Sequence, residues 1–105
     1  MPPATYVRLS ADAVRSQLLG SKWRISNDTI QSRYIFKSFE DTWAFLQKVA
    51  LRSHIQGHHP KITTIYNKVE LELTTHDVNG LSDMDVKLAK RFEKYAKQIG
   101  EKDSI

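Results

Sequence analysis

The chain contains no cysteine. This absence excludes disulfide bonds, thiolate catalysis and cysteine-ligated zinc, and it is compatible with a reducing compartment. No run of 18 apolar residues occurs, and the first six residues include no apolar stretch of signal-peptide length. We therefore expect a soluble protein without a membrane anchor, located in the cytoplasm, with the nucleus as a second compartment open to it.

Internal repeats, low-complexity tracts and linkers are also absent, and 105 residues suffice for one hydrophobic core. A single domain over 1–105 is the expectation. The net charge of +4 comes without a Lys/Arg run or an arginine-rich motif. Charge of this kind bears on solubility and weak association, so direct nucleic acid binding is not predicted.

Hydrophobic periodicity and turn residues predict seven elements in the order α-β-β-α-β-β-α. Ser10 and Ser82 are the expected N-caps of the first and third helices, and Gly20 suits the end of the first. The second helix is predicted over 39–52, and the strands over 23–26, 32–37, 61–66 and 68–75. This order implies an α+β fold with a four-stranded antiparallel sheet covered on one face by helices.

The predicted second helix has more apolar surface than one core contact requires. Two interpretations stay open: a helix wedged deeply in its own core, or a helix that also mediates oligomerisation. One stripe consists of Phe39, Trp43, Leu46 and Ala50, and a neighbouring one of Phe45 and Val49.

All four histidines lie within 23 positions, at His54, His58, His59 and His76. Imidazole exchanges protons near neutral pH and is also a common metal ligand. The cluster therefore predicts a proton-handling site or a metal site.

The hairpin between the last two strands relates these histidines to one another. With Asn67 and Lys68 as a two-residue turn, continuing the ladder sets His59 opposite His76. Two imidazoles would then converge on one small ligand at the open end of the hairpin.

Three kinds of chemistry and a purely structural role are open to this cluster. The spacing His54-x-x-x-His58 is typical of zinc proteases, but Ile55 stands where those sites carry glutamate, and Gly57 interrupts the helix. Nucleophilic hydrolysis would require a recognisable motif such as the nucleophile elbow, and the sequence contains none. A purely structural role for the histidines remains open. Acid–base catalysis without a cofactor or metal fits best, because hydroxide is a poor leaving group that an imidazolium can protonate.

The spacing of several short motifs resembles that of the pterin-4a-carbinolamine dehydratases. The resemblance covers nearly the whole chain and includes Trp23 and the aromatic stretch 36–45. Its most specific motifs are His58-His59-Pro60, Tyr66-Asn67-Lys68-Val69, Leu73-x-Thr75-His76 and Gly80-Leu81-Ser82 with Asp85.

The resemblance implies dehydration of 4a-hydroxytetrahydropterin to quinonoid dihydropterin, which recycles the pterin cofactor of aromatic amino acid hydroxylases. By motif position, His58 and His76 are expected to be the acid/base pair and His59 to hold the pterin. The expected pocket wall consists of Pro60, Thr74, Thr75 and Asp77.

The resemblance also implies a homo-oligomer, a dimer or a tetramer, assembled through helix 39–52 and the sheet edges. Some animal members serve as dimerisation cofactors of a homeodomain transcription factor, so a non-catalytic protein-binding module is the alternative function. Three positions depart from the usual pattern: His54 and Lys61 replace acidic residues, and Gly57 replaces a polar one.

Overall fold

The computed structural model describes residues 6–102, and the α+β fold class and order of elements are confirmed. The helices are α1 (Ala11–Gln17), α2 (Phe39–Gln56) and α3 (Asp83–Ile99). The strands are β1 (Arg24–Ser26), β2 (Thr29–Ile35), β3 (Lys61–Ile65) and β4 (Lys68–Leu73), and a short 3₁₀ helix covers His76–Val78. Within 6–102, no helix has the length and apolar content that crossing a bilayer would demand.

The four strands form one antiparallel sheet in the order β1-β2-β4-β3. Alternation along the two central strands decides which face is covered, because successive side chains point to opposite sides. Ile30, Ser32 and Tyr34 of β2 are buried on the same side as the apolar residues of β4. The opposite side carries charged residues, among them Arg33 paired with Glu70. The helices therefore pack on a single face.

The helix ends follow the expected local chemistry. The Ser10 hydroxyl accepts the Ala13 N–H, which confirms the N-cap of α1. Helix α2 is longer than the predicted 39–52 and stops only at Gly57, whose φ of 65° is readily available to glycine. His54 consequently lies on the last turn of α2, where it is exposed.

The predicted hairpin register is wrong. The two-residue turn is Tyr66-Asn67 rather than Asn67-Lys68, and Ile65 pairs with Lys68. The Asn67 side chain donates to the Phe36 carbonyl, and the Phe36 N–H donates to the Asn67 carbonyl. This reciprocal pair holds Asn67 in the turn, a long-range contact that hairpin propensities do not contain.

The strand boundaries also shift, although the faces do not. Strand β2 begins directly after the turn Asn27-Asp28, at Thr29 instead of position 32. Ile62 now opposes Leu71 instead of Leu73, which moves the pairing by two positions and leaves every side chain on its expected side. The apolar pattern determines which side of the sheet a side chain lies on, whereas the turn determines which residues of β3 and β4 oppose each other.

A buried polar pair, Tyr34 and Glu93, lies where α3 packs on the sheet. The Tyr34 hydroxyl donates to a carboxylate oxygen of Glu93, and the other oxygen accepts the Lys22 N–H at 3.3 Å. Burial raises the pKa of Tyr34 above its ordinary value, and the Glu93 carboxylate raises it further. The phenol therefore stays protonated in the folded chain.

We expect stability to fall above about pH 10, because the unfolded chain then loses a phenol proton that the folded chain keeps. The contribution is fully present below the ordinary tyrosine pKa. Tyr34→Phe should cost about 2 kcal/mol at neutral pH and should flatten the decline between pH 9 and 11 in urea unfolding. Tyr95→Phe, which removes a half-buried hydroxyl next to Arg52, is the matched control. Equal pH slopes for wild type and Tyr34→Phe would contradict this account.

Candidate active site

A buried carboxylate, Asp85, is the centre of a polar network between three segments of the chain. It lies in the first turn of α3 and is fully inaccessible to solvent. One oxygen, Oδ2, accepts the Ser82 N–H at 2.9 Å and the Thr75 hydroxyl at 2.7 Å. The other, Oδ1, lies 2.7 Å from Nε2 of His58. We call Asp85, His58, Thr75 and Ser82 the Asp85 network.

Helix α2 places His58 in this network. The chain leaves the helix at Gly57, and the His58 N–H still donates to the Ser53 carbonyl at 3.1 Å. This bond turns the His58 side chain inward, and only 8% of the residue remains exposed. The sharp helix end that Gly57 permits is thus what brings an imidazole to Asp85.

Thr75 reaches the network from the sheet. It follows β4 and pairs with Gly80 across a small loop that contains the 3₁₀ helix. Its hydroxyl lies 2.7 Å from Ser82 Oγ as well as from Asp85. The loop closes because Asn79 adopts φ 53°, a left-handed conformation that asparagine tolerates.

The hydrogen bonds indicate which imidazole nitrogen of His58 is available for chemistry. A carboxylate only accepts hydrogen bonds, so Nε2 must carry the proton that points at Asp85. In a neutral imidazole the other nitrogen, Nδ1, then holds the lone pair. Among residues 6–102 Nδ1 has no hydrogen-bond partner. His58 therefore has one oriented nitrogen and one that can accept a proton.

The structure does not set His59 opposite His76, because the register differs from the predicted one. Extending the observed pairing of Lys61 with Glu72 beyond the strand ends sets His58 beside Thr75 instead. These are the two side chains that share Asp85. His59 and His76 follow them directly in the chain, and both are exposed.

The predicted pocket-wall residues have different surroundings. Pro60 is half-buried after the histidines, and Asp77 is exposed on the 3₁₀ helix. Thr74 donates to the Asp28 carbonyl at 2.6 Å, which ties the loop to the β1–β2 turn. Thr75 is buried, and its hydroxyl is engaged inside the Asp85 network.

The predicted alternative of a metal site at His54 and His58 can be compared with the positions of these side chains. Across the described residues, no three His, Asp or Glu side chains are grouped so that they could hold a metal ion. His54 lies on the exposed side of α2, whereas His58 has turned inward beyond the helix end. The helical spacing of these two histidines is therefore not maintained in three dimensions.

Sequence reasoning identified Asp85 as a helix-terminal acid and as part of a motif, but not as a partner of His58. The spacing Ser82-x-x-Asp85 predicts a carboxylate that reaches back to the helix start. Both Ser82 and Asp85 are fully buried. A capping motif of this kind can equally well lie on the surface, so the spacing alone does not predict the burial. The apolar neighbours Leu81 and Val86 were the available signal for that burial.

Asp85→Asn is expected to reverse the tautomer of His58. The amide oxygen would keep the Ser82 and Thr75 donors, so the NH₂ group would face His58 and Nε2 would become an acceptor. Nitrogen-15 spectra of the histidine side chains should report this change, with a loss of about 2 kcal/mol in unfolding free energy. Asp12→Asn, at a carboxylate 96% exposed, is the control. An unchanged His58 tautomer would contradict the assigned hydrogen bonds.

Comparison with known proteins places this arrangement in a family. The family described as Pterin 4 alpha carbinolamine dehydratase matches residues 7–95. A Saccharomyces cerevisiae protein provisionally named a pterin-4-alpha-carbinolamine dehydratase is 40% identical over 93 residues, covering 75% of this chain and 78% of that protein. A Rhizobium rhizogenes protein with the same provisional name is 38% identical over 94 residues, covering 87% and 93% of the two chains.

Two solved structures are similar in fold. A transcriptional coactivator/pterin dehydratase from Brucella melitensis superposes with a TM-score of 0.81 at 28% identity, covering 86% of this chain and 99% of that chain. A pterin dehydratase-like protein identified as a RuBisCO assembly factor has a TM-score of 0.61 at 22% identity, covering 76% and 93%, which shows the shared fold alone. The match over 7–95 and the identity of these relatives lead to one conclusion: the chain belongs to the pterin-4-alpha-carbinolamine dehydratase family.

Proposed function

We propose that this protein dehydrates 4a-hydroxytetrahydropterin to quinonoid dihydropterin and water by histidine acid–base catalysis. The observation that carries the proposal is the 2.7 Å contact between His58 Nε2 and the buried Asp85 carboxylate. A carboxylate that orients one imidazole nitrogen leaves the other with a defined direction and a lone pair. This is the requirement for a group that takes up or delivers a proton.

The reaction needs one proton donor and one proton acceptor. The lone pair of the pterin N5 forms a double bond to C4a, and the C4a–O bond breaks with its electron pair on oxygen. An imidazolium protonates the departing hydroxide to give water, and a second group accepts the N5 proton. Each such transfer typically contributes 10²–10⁴-fold in rate. His58 and His76 are the proposed acid/base pair.

The positions of the remaining residues suit a substrate that binds at the surface next to the Asp85 network. His59 and His76 are both exposed and follow the network members His58 and Thr75 in the chain. A ligand at this surface would meet two exposed imidazoles and the one that Asp85 holds. His59 is proposed to hold the pterin, and Pro60, Thr74, Thr75 and Asp77 to line its pocket.

The decisive measurement follows the decay of freshly generated 4a-hydroxytetrahydropterin with and without the protein. Wild type should accelerate decay over buffer. His58→Ala and the double variant His59→Ala/His76→Ala should each lose about 10²–10⁴-fold in rate. No acceleration by wild type would refute the enzymatic function, whereas full activity in the double variant would refute the site assignment alone.

His54→Ala is the matched control for these variants. It removes an imidazole four residues before His58, but from the exposed side of α2. Activity should stay close to wild type. A loss as large as that of His58→Ala would mean that the reacting groups extend onto the helix.

A second function is favoured by one feature, the uncovered apolar side of α2. Phe39 and Trp43 are 50% and 46% exposed with ring centroids 6.1 Å apart, and Leu51 and Ile55 are 66% and 58% exposed. Phe45 and Val49 of the neighbouring stripe are buried, and so is Leu46. Large apolar side chains exposed along one helix favour contact with a protein partner.

The proposed partner is a second copy of the chain, and a different protein is the alternative. The edge strand β3 adds a second candidate contact, because no strand of residues 6–102 pairs with its outer side and its Ile65 is 74% exposed. A non-catalytic binding role, such as that of a transcriptional dimerisation cofactor, would use the same helix face.

We expect wild type to sediment as a dimer or tetramer at micromolar concentration, and Trp43→Glu to sediment as a smaller species. The introduced carboxylate would have to be desolvated at the interface, which opposes association. Lys90→Glu, which adds a carboxylate on the exposed face of α3, should leave the assembly unchanged. A wild type that is purely monomeric would refute the self-association.

A further inference from the structure

The segment formed by residues 6–9 is hydrogen-bonded to the stretch 81–83, which includes Ser82 of the Asp85 network. The Leu9 N–H donates to the Leu81 carbonyl at 2.9 Å, and the Asp83 N–H donates to the Val7 carbonyl at 3.0 Å. The Val7 N–H donates in return to the Asp83 carboxylate at 3.0 Å. Three bonds of normal length over three residues define the path of this segment.

That path brings an aromatic ring against the buried histidine. The ring of Tyr6 is half-buried, and its centroid lies 5.6 Å from that of His58, with the planes tilted by 48°. The separation is within the range for interacting aromatic pairs. The contact joins residues more than fifty positions apart, so it exists only because residues 7–9 are fixed on 81–83.

Resting on the proposed function, we propose that Tyr6 is a positioning residue for His58. The hydrogen bond from Nε2 to Asp85 fixes one atom of the imidazole. Turning the ring over about the Cβ–Cγ bond would break this hydrogen bond and redirect Nδ1. A bulky ring packed on the imidazole blocks that rotation and limits the access of water. Asp85 thus selects the tautomer, and Tyr6 keeps the ring in the orientation that aims Nδ1 at the substrate.

The same segment also touches the second loop of the site. The guanidinium group of Arg8 lies over Gly80, close enough that a Cβ atom there would meet Nε and Nη2 at 3.4 Å. Gly80 closes the loop that carries His76. Residues 6–9 therefore contact both histidine-bearing loops, and a disturbance of the segment reaches both.

Tyr6→Ala, Tyr6→Phe and Val7→Ala test the proposal in the full-length protein. Nitrogen-15 spectra of the histidine side chains would be recorded first, because they report the ring of His58 without any turnover. Wild type and Tyr6→Phe should give one sharp Nε2–H form. Tyr6→Ala should give a broadened or mixed signal. Val7→Ala, which trims a side chain 55% exposed next to Tyr6, should match wild type.

The kinetic expectation is a loss of about tenfold in kcat for Tyr6→Ala with little change in KM. This loss is smaller than the removal of a proton-transfer group would cause. Tyr6→Phe should keep the kcat of wild type, because the contact with His58 is made by the aromatic ring and not by the hydroxyl. A His58 signal that stays sharp in Tyr6→Ala would overturn the proposal, and so would an equal loss of kcat in Val7→Ala. Absence of turnover in wild type would refute the dehydratase function and leave the spectroscopic test of Tyr6 standing.

Discussion

The site depends on a single buried carboxylate that satisfies donors from three directions. Asp85 accepts the Ser82 N–H at the start of α3, the Thr75 hydroxyl at the end of β4 and the His58 imidazole beyond the end of α2. A charged group without solvent is costly unless it is fully hydrogen-bonded, and each of these partners lowers that cost. The positions of His58, Thr75 and Ser82 are thereby tied to one group.

Helix α3 carries two buried polar groups, Glu93 in the core and Asp85 at the candidate site. The pair of Tyr34 and Glu93 ties α3 to the sheet and involves no residue proposed to meet substrate. The Asp85 network lies at the first turn of the same helix, and the exposed His59 and His76 follow its members His58 and Thr75 in the chain. Helix α3 is thus anchored by a structural pair in its third turn and by the candidate site at its beginning.

Local chemistry made much of this predictable from the sequence. Ser10, Ser82 and the turn Asn27-Asp28 behave as their propensities require, and alternation in β4 gave the buried face correctly. The pairing of His59 with His76 failed because Asn67 binds the Phe36 backbone, a contact between residues 31 positions apart. The partnership of His58 with Asp85 was missed for the same reason, since no periodicity encodes a contact across 27 positions.

The double use of Asp85 has a consequence for reading variants of this protein. The carboxylate that orients an imidazole is also the one that satisfies the start of a helix, so selection for thermal tolerance alone would retain it. A homologue that had lost all turnover could keep the whole Asp85 network intact merely to stay folded. Retention of this residue alone is therefore poor evidence of catalysis. The exposed imidazoles of His59 and His76, which only the proposed function requires, are more informative positions.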